Sequence, residues 1–231
     1  MKHKKNYKEK TLEYYNQNDK AFIDGTLNVD FSETQDKFLS FLNPGDKILD
    51  FGCGSGRDTK YFLEKGFEVR AIDGSKKLCE FASQFTGINV TQLDFLDFYE
   101  KERYHGIWAC SSILHLNSKE LLCVLKNIYA ALKPDGILYT SFKYGTFEGE
   151  RNGRFFNDMT QTKFSKLLKK IRTLELVENW VTEDARTGRK NEKWFNAVCK
   201  KVFLENSHFS ILNKKQPSSC EKITPIACKN E

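Results

Sequence analysis

The chain of 231 residues is long enough for one domain with a substantial core, and its 39% hydrophobic residues and 19 phenylalanines exclude wholesale disorder. No apolar run approaches the roughly 18 residues of a membrane span, and the N-terminus lacks the apolar segment of a signal peptide, so we expect a cytoplasmic protein without membrane contact. The formal net charge of +6 is concentrated in residues 1–10, which hold five lysines and one glutamate, so an extended phosphate-binding face on the remaining body is disfavoured.

The seven cysteines include no C-x-x-C pair, and several of them fall inside predicted strands or helices. These cysteine positions are typical of reduced thiols in the core of a cytosolic protein, and they disfavour a metal site. The lysines of residues 1–10 favour a solvated N-terminus, with contact to RNA as the alternative.

In chain order, residues 6 to about 23 are predicted to form a first helix, which carries Tyr15. Residues 32–35, S-E-T-Q, have the form of a capping box, with Phe31 before them as a hydrophobic staple, and predict the start of a second helix. The segment N-P-G-D at residues 43–46 ends that helix and leads into the first strand.

Residues 48–58, I-L-D-F-G-C-G-S-G-R-D, hold an apolar run that meets an acid at Asp50 and continues into alternate glycines at Gly52, Gly54 and Gly56. Glycine tolerates positive φ and close backbone approach, so the pattern predicts a buried strand that turns sharply into a helix. In a nucleotide-binding sheet, a ligand lies over such a turn.

The spacing of these glycines distinguishes between nucleotides. The dinucleotide fingerprint G-x-G-x-x-G/A requires a third small residue where this chain has Arg57, which disfavours NAD. Asp73 closes the second predicted strand roughly 20 residues after Asp50, the interval at which a carboxylate binds ribose hydroxyls.

Strands and helices then alternate, which implies right-handed crossovers and a parallel sheet. Further strands are predicted at residues 67–72, 88–93, 104–111 and 136–142, with helices at residues 75–85, from Asn117 onward and at residues 160–171. The last two predicted strands, residues 174–181 and 193–203, are joined by a link too short for a crossover helix and should pair antiparallel.

We therefore expect an α/β fold with a Rossmann-like, doubly wound sheet. The sheet would be mostly parallel, with seven strands ending in a C-terminal antiparallel hairpin, and helices would precede it at the N-terminus. Residues 1–204 would form a single domain with an N-terminal helical lid, and residues 205–231 a flexible tail.

At these motifs the chain resembles the class I S-adenosylmethionine-dependent methyltransferases, over roughly residues 10–203. Its segment D-F-G-C-G-S-G at residues 50–56 matches the first motif of that family, and Asp73 matches the ribose-binding acid. Q-L-D-F at residues 92–95 is similar to the segment that flanks adenine, and L-K-P-D-G-I-L at residues 132–138 to the turn into the fifth strand, with Asp135 replacing a common glycine. Within the family, the layout is similar to small single-domain enzymes of the tellurite-resistance type.

The resemblance implies that the cofactor is S-adenosyl-L-methionine and that several residues bind it. Asp50 would balance the ammonium group of the methionine part, and Asp73 would accept hydrogen bonds from the ribose. The other implied cofactor residues are Tyr15 from the N-terminal lid, the turn glycines Gly52, Gly54 and Gly56, the adenine-flanking pair Asp94 and Phe95, and Ser111 after the fourth strand.

The acceptor pocket is expected at the carboxyl ends of the fourth and fifth strands, where ligands bind in open α/β sheets. His115 is a candidate for deprotonating the acceptor, with helix capping or packing as the alternative. Residues 143–156 form a glycine-punctuated loop that we interpret as a substrate lid with hinges at its glycines, with a solvated surface loop as the alternative. Its candidate substrate-binding residues are Lys143, Arg151 and Arg154, and Tyr144 is a candidate catalytic residue.

These observations predict an enzyme, a methyltransferase that transfers a methyl group directly from S-adenosyl-L-methionine to a small-molecule acceptor. A methyltransferase acting on an RNA base, aided by the N-terminal lysines, is one alternative. A non-catalytic binding protein with the same fold is another, and an NAD-dependent oxidoreductase is disfavoured by Arg57 and by the final hairpin.

Overall fold

The structure is a computed structural model that describes residues 6–171 and 173–202. Its helices are α1 Tyr7–Gln17, α2 Asp19–Asp24, α3 Ser32–Leu39, α4 Arg57–Glu64, α5 Lys76–Thr86, α6 Ser118–Ala131 and α7 Gln161–Leu168. Its strands are β1 Lys47–Phe51, β2 Glu68–Asp73, β3 Val90–Gln92, β4 Tyr104–Ala109, β5 Leu132–Lys143, β6 Glu148–Arg151, β7 Arg154–Asn157, β8 Leu174–Glu183 and β9 Lys193–Lys201. The predicted tail lies outside the described residues.

Seven strands form the central sheet in the order β3-β2-β1-β4-β5-β9-β8. Strands β1 to β5 pair in parallel, whereas β9 pairs antiparallel with both β5 and β8. This topology confirms the predicted mostly parallel sheet with its C-terminal antiparallel hairpin. Because the parallel strands all point the same way, their carboxyl ends meet at one edge of the sheet.

Both faces of the sheet are covered by helices and hold apolar clusters. On one face, Leu125 and Ile128 of α6 and Phe164 of α7 pack against the sheet. On the other, the fully buried ring of Trp108 stacks on Tyr139 with centroids 4.0 Å apart and meets Phe38 of α3. Burial on both faces explains why the inner strands β1 and β4 contain consecutive apolar residues, Ile48-Leu49 and Ile107-Trp108-Ala109.

The N-terminal helices differ from the sequence expectation in two respects. The predicted first helix breaks at Asn18, whose side-chain amide donates to the Tyr14 carbonyl and closes α1, so that α2 follows as a separate helix. The capping box predicted at residues 32–35 is wrong, because Ser32 donates its hydroxyl to Asp30 and leaves α3 without a side-chain cap. The reciprocal capping box occurs instead at Asn6 and Glu9, at the start of α1.

The predicted loop at residues 143–156 contains regular structure. Strands β6 and β7 pair as a two-stranded antiparallel sheet, which we call the ribbon, joined by Asn152 and Gly153. Both turn residues have positive φ, 50° and 76°, as a tight two-residue hairpin turn requires. Gly149, predicted as a hinge, is instead paired with Phe156 within the ribbon.

Four thiols, those of Cys53, Cys79, Cys110 and Cys199, are free. No helix among the described residues combines the length and apolar character needed to cross a membrane. In residues 6–171 and 173–202, no group of three or more His, Cys, Asp or Glu side chains is arranged to hold a metal ion.

Candidate active site

A cavity of about 590 Å³ lies at the carboxyl edge of the parallel strands. Its floor comes from the segments that follow β1, β2, β4 and β5, and its roof from α1, the ribbon and the connection between β8 and β9. The volume falls within the range of small-molecule sites, and the position is the one at which open α/β sheets bind ligands.

The turn after β1 forms part of the floor. Gly52 has φ of 88°, and a Cβ atom added there would lie 2.3 Å from the Cβ of Ser112. A Cβ atom on Gly54, whose φ is 55°, would lie 3.0 Å from the ring of Phe22. Both glycines line the cavity, so glycine at these two positions keeps the backbone open to a ligand.

Two residues of the predicted cofactor motif do not line the cavity. A Cβ atom on Gly56 would lie 2.9 Å from the methyl group of Thr86, so this glycine allows α4 and α5 to pack closely. Asp50 is 1% exposed and accepts a hydrogen bond of 2.6 Å from the hydroxyl of Thr59 beneath the turn. The structure therefore does not support the predicted contact of either residue with the cofactor.

Asp50 is also an unusual carboxyl group electrostatically. Burial raises its pKa well above the ordinary value, and the neighbouring carboxylate of Asp58 adds to the increase. Its burial and its hydrogen bond with Thr59 make this carboxyl group a structural part of the β1–α4 junction.

Asp73, at the end of β2, lines the cavity as predicted. Its Oδ2 accepts from the backbone amide of Gly54 at 2.9 Å, and its Oδ1 accepts from the amide of Ser75 at 2.8 Å. Burial raises its pKa, against the opposing effect of these amides. Asp73 thus joins the glycine turn to the start of α5 while facing the cavity, and each carboxylate oxygen retains capacity for a further hydrogen bond.

The predicted adenine-flanking pair follows β3. Phe95 lines the cavity and stacks on Phe51, with ring centroids 4.6 Å apart. Asp94 also lines the cavity, and its Oδ1 accepts from the amide of Leu96 at 2.9 Å. An apolar ring face beside a carboxylate can accommodate an aromatic heterocycle with an exocyclic amine.

Ser111, predicted at the cofactor site, follows β4 and lines the cavity. Its backbone has φ of 54°, an uncommon value for a residue other than glycine, and its amide donates to the hydroxyl of Ser141 at 2.9 Å. Backbone in this region persists only where surrounding structure holds it, as is frequent at functional sites.

Asp58 has a role that the sequence analysis missed. It is 8% exposed and accepts hydrogen bonds from Gln35 Nε2 at 2.7 Å, Arg57 Nε at 2.7 Å and Trp108 Nε1 at 2.8 Å. These donors come from α3, α4 and β4, so one carboxylate fixes three elements beneath the glycine turn. Arg57 lines the cavity with its charge neutralised by this acid.

Contacts between α1 and the ribbon join these two parts of the roof. The hydroxyl of Thr11 accepts from the amide of Phe155 at 3.1 Å, and the ring of Tyr7 lies 4.4 Å from that of Phe155. On the other side of α1, the side chain of Leu12 lies against Gly74, where an added Cβ atom would be 2.6 Å away. The helix therefore bridges the ribbon and the end of β2.

Tyr15 and His115 meet inside the cavity. The hydroxyl of Tyr15 lies 2.8 Å from His115 Nε2, and His115 Nδ1 lies 2.6 Å from the carbonyl oxygen of Phe155. Since a carbonyl can only accept, Nδ1 carries the proton, and Nε2 accepts from Tyr15. Burial, together with the charges of Arg154 and Arg151, lowers the pKa of His115 to about 4, against the opposing effect of the Phe155 carbonyl.

This neutral histidine makes stability depend on pH. The folded chain resists protonation of His115 until about pH 4, whereas the unfolded chain takes up that proton near the ordinary value of 6.5. The unfolded state therefore binds more protons between these values, and stability falls as the pH falls through this interval. Between pH 7.5 and pH 4.5, the wild type should lose up to about 3 kcal/mol more than His115→Gln, as measured by urea unfolding. Parallel pH profiles of the two proteins would contradict this.

Two of the predicted substrate-binding cations are already paired. Lys143 forms ion pairs with Asp184, at 3.2 Å, and with Glu192, and its Nζ lies 4.1 Å from the ring centre of Trp194. Arg151 makes two parallel hydrogen bonds to Asp158, of 2.6 and 2.8 Å. Both residues line the cavity, but their charges are satisfied within the protein.

Tyr144 and Arg154 complete the predicted set. Tyr144 lines the cavity with a side chain that is 48% exposed, and its amide donates to the carbonyl of Lys193 at 2.9 Å. Arg154 lies between aromatic rings and donates from Nη1 to the hydroxyl of Tyr15 at 3.3 Å. The structure thus brings Tyr15, His115 and Arg154 together, which sequence spacing alone did not indicate.

Comparison with known proteins agrees with this geometry. Residues 48–136 match the model of a family described as methyltransferase domain. A putative methyltransferase of Bacillus subtilis, YqeM, is 35% identical over 109 residues, which cover 42% of this chain and 44% of the relative. The chain matches between 25% and 59% of the length of the first three curated relatives.

Solved structures show the same fold. The 1,6-didemethyltoxoflavin-N1-methyltransferase of Burkholderia thailandensis, with bound 1,6-didemethyltoxoflavin and S-adenosylhomocysteine, has a TM-score of 0.67 at 20% identity and covers 83% of this chain and 85% of its own. A TehB-like S-adenosylmethionine-dependent methyltransferase of Corynebacterium glutamicum has a TM-score of 0.61 at 21% identity. The match covers 82% of this chain and 97% of that protein. At these identities, the likeness establishes the fold.

Residues 48–136 thus match a methyltransferase domain, and the fold around them is similar to that of solved S-adenosylmethionine-dependent methyltransferases.

Proposed function

We propose that this protein is an S-adenosyl-L-methionine-dependent methyltransferase that acts on a small-molecule acceptor. The observation that carries the proposal is the carboxylate of Asp73, which faces the cavity at the end of β2 while holding the amide of Gly54 in the glycine turn. A ribose that donates its hydroxyls to Asp73 would place the methionine part over Gly52 and Gly54, and adenine beside Asp94 and Phe95.

The bound cofactor supplies an electrophilic methyl group on a positively charged sulfur, whose release as a neutral thioether needs no acid. The task of the protein is then to align the acceptor and to exclude water. Helix α1 and the ribbon cover the cavity and serve the second purpose. With a pKa of about 4, His115 is a weak base at neutral pH. We therefore propose that His115 positions the hydroxyl of Tyr15 and does not itself remove a proton.

A small acceptor is favoured over an RNA base by the covered cavity and by the state of the N-terminal lysines that the structure describes. Lys8 pairs with Glu120 at 3.4 Å, and Lys10 pairs with Glu150 at 2.8 Å. These charges stabilise the attachment of α1 and are less available to phosphates than free lysines would be. Lys2, Lys4 and Lys5 lie outside the described residues.

Asp73→Ala should weaken S-adenosyl-L-methionine binding by about 1.5–3 kcal/mol, because a charge-assisted hydrogen bond to the ribose is lost. Isothermal titration calorimetry measures this, and Asp73→Asn, which retains one acceptor oxygen, should lose less. Asp36→Ala removes a carboxylate of which 55% is exposed and should bind as the wild type does. Unchanged affinity in Asp73→Ala would refute this placement of the cofactor.

A methyl-release assay with candidate acceptors separates catalysis from binding alone. Transfer of the labelled methyl group to any acceptor supports the enzyme. Tight cofactor binding without transfer to any acceptor would favour the non-catalytic alternative.

A further inference from the structure

The arginines that line the cavity differ in how their charges are balanced. Arg57, Arg151, Arg186 and Arg189 each form an ion pair with a carboxylate, at distances from 2.5 to 3.7 Å. Arg154 also lines the cavity, but none of the carboxylates in the described part of the chain pairs with it. A full positive charge at the wall of a ligand site is therefore balanced by no carboxylate of residues 6–171 and 173–202.

Aromatic rings and one weak hydrogen bond surround this guanidinium group. Its central carbon lies 4.3 Å from the ring centre of Tyr14 and 5.1 Å from that of Phe156, and Nη1 donates to the hydroxyl of Tyr15. Stacking of this kind fixes the plane of the guanidinium without satisfying its donors. Among the described residues, Arg154 Nε is buried and has no hydrogen-bond partner.

A buried donor without a partner costs free energy, and the cost is larger for a charged group. The neighbouring Arg151 illustrates the arrangement that Arg154 lacks, since it makes two parallel hydrogen bonds to Asp158. The planar fork of an arginine matches a carboxylate in this way. A ligand carboxylate bound in the cavity beside Arg154 would supply the missing anion.

We propose that the methyl acceptor carries a carboxylate that binds Arg154, and that a second group of the acceptor receives the methyl. This inference rests on the proposed methyltransferase function and names its substrate class. The carboxylate is the anchoring group, since pairing with a guanidinium would reduce its own nucleophilicity. Arg154 lies in the ribbon that follows β5, where the acceptor pocket is expected, whereas Asp73 ends β2, and Asp94 and Phe95 follow β3.

The test uses matched probes that differ in the anchoring group. Glycine is compared with glycinamide, 4-hydroxybenzoate with 4-hydroxybenzamide, and phosphoethanolamine with ethanolamine. Binding is measured by calorimetry in the presence of S-adenosylhomocysteine, and methyl transfer is measured with labelled S-adenosyl-L-methionine. We expect the wild type to bind at least one carboxylate about 10- to 100-fold more tightly than its amide, and Arg154→Ala to lose that preference.

Arg154→Lys keeps the charge without the fork and should retain part of the preference. Arg103→Ala is the matched control, because that arginine is 51% exposed and pairs with Glu100 away from the cavity. The thermal midpoint of each variant checks that it is folded, and its affinity for S-adenosyl-L-methionine should remain within about twofold of the wild type.

Three results would overturn the proposal. The first is a wild type that prefers no carboxylate over its amide, and the second is a preference for the phosphate probe alone. The third is a loss of cofactor affinity in Arg154→Ala with acceptor preference intact, which would assign Arg154 to the cofactor's own carboxylate. Failure of the wild type to bind S-adenosyl-L-methionine would refute the proposed function. The affinities for the acid and amide probes can be compared even in that case, so the two failures are distinguishable.

Discussion

Replacing Gly52 by alanine is expected to destabilise the protein by about 2–5 kcal/mol. Part of this loss is backbone strain, because φ at this position is 88° and L-residues other than glycine rarely adopt it. The remainder is steric, because the new Cβ would lie 2.3 Å from the Cβ of Ser112, so that the turn or the segment after β4 must shift. Urea denaturation of the two proteins measures the difference.

Gly66→Ala separates the two contributions. Gly66 has φ of 86°, nearly the same as Gly52, but no atom lies within 4 Å of its added Cβ. This control should lose about 1–2 kcal/mol from strain alone. Equal losses in Gly52→Ala and Gly66→Ala would show that the turn shifts at little cost to avoid the steric clash. The proximity of Ser112 would then not be what requires glycine at position 52.

Asp58→Ala is expected to cost about 3–5 kcal/mol of stability, since it leaves the guanidinium of Arg57 without its carboxylate in a largely buried position. The same change removes the acceptor of the indole of Trp108 and of the amide of Gln35. Buried donors that lose their only partner add to the penalty. Urea unfolding, followed by the fluorescence of the three tryptophans, measures the effect.

Two further variants test the reason for this loss. Asp58→Asn retains an oxygen that can accept from one donor but removes the charge, so its loss should be intermediate. Asp36→Ala removes a carboxylate that is 55% exposed and pairs with Lys65 at 3.4 Å, and such pairs contribute about 1 kcal/mol or less. A loss in Asp58→Ala no larger than that of Asp36→Ala would refute the structural role of Asp58.

The floor of the site was predictable because its signals are local. An apolar strand followed by alternate glycines specifies the turn at Gly52 and Gly54, and an acid at the end of the next strand specifies Asp73. The mostly parallel sheet with its antiparallel hairpin followed from the alternation of elements and from the short final link. The N-G pair at residues 152–153 was also a local signal, for the ribbon, but was read as part of a loop.

The sequence predicted lids at the N-terminus and at residues 143–156, but not the contacts that join them, because these contacts connect distant parts of the chain. Tyr15 and His115 are 100 residues apart, and Arg154 and Tyr15 are 139 apart. No pattern in one sequence indicates that Arg151 has an acid partner, whereas Arg154 has none in the part of the chain that the structure describes. The capping signature at residues 32–35 failed for a related reason, because the nearby Asp30 competes for the hydroxyl of Ser32.

The long-range attachment of α1 has a consequence for the order of folding. The hydrogen bond from Phe155 to Thr11 closes a loop of 144 residues, whereas β1 and β2 pair across a short crossover. Loop closure of that length costs entropy that only an assembled sheet can offset, so α1 docks after the sheet has formed. During synthesis, α1 leaves the ribosome before the sheet but is among the last elements to pack, and in the folded protein its amides should exchange with solvent earlier than those of β1 and β4.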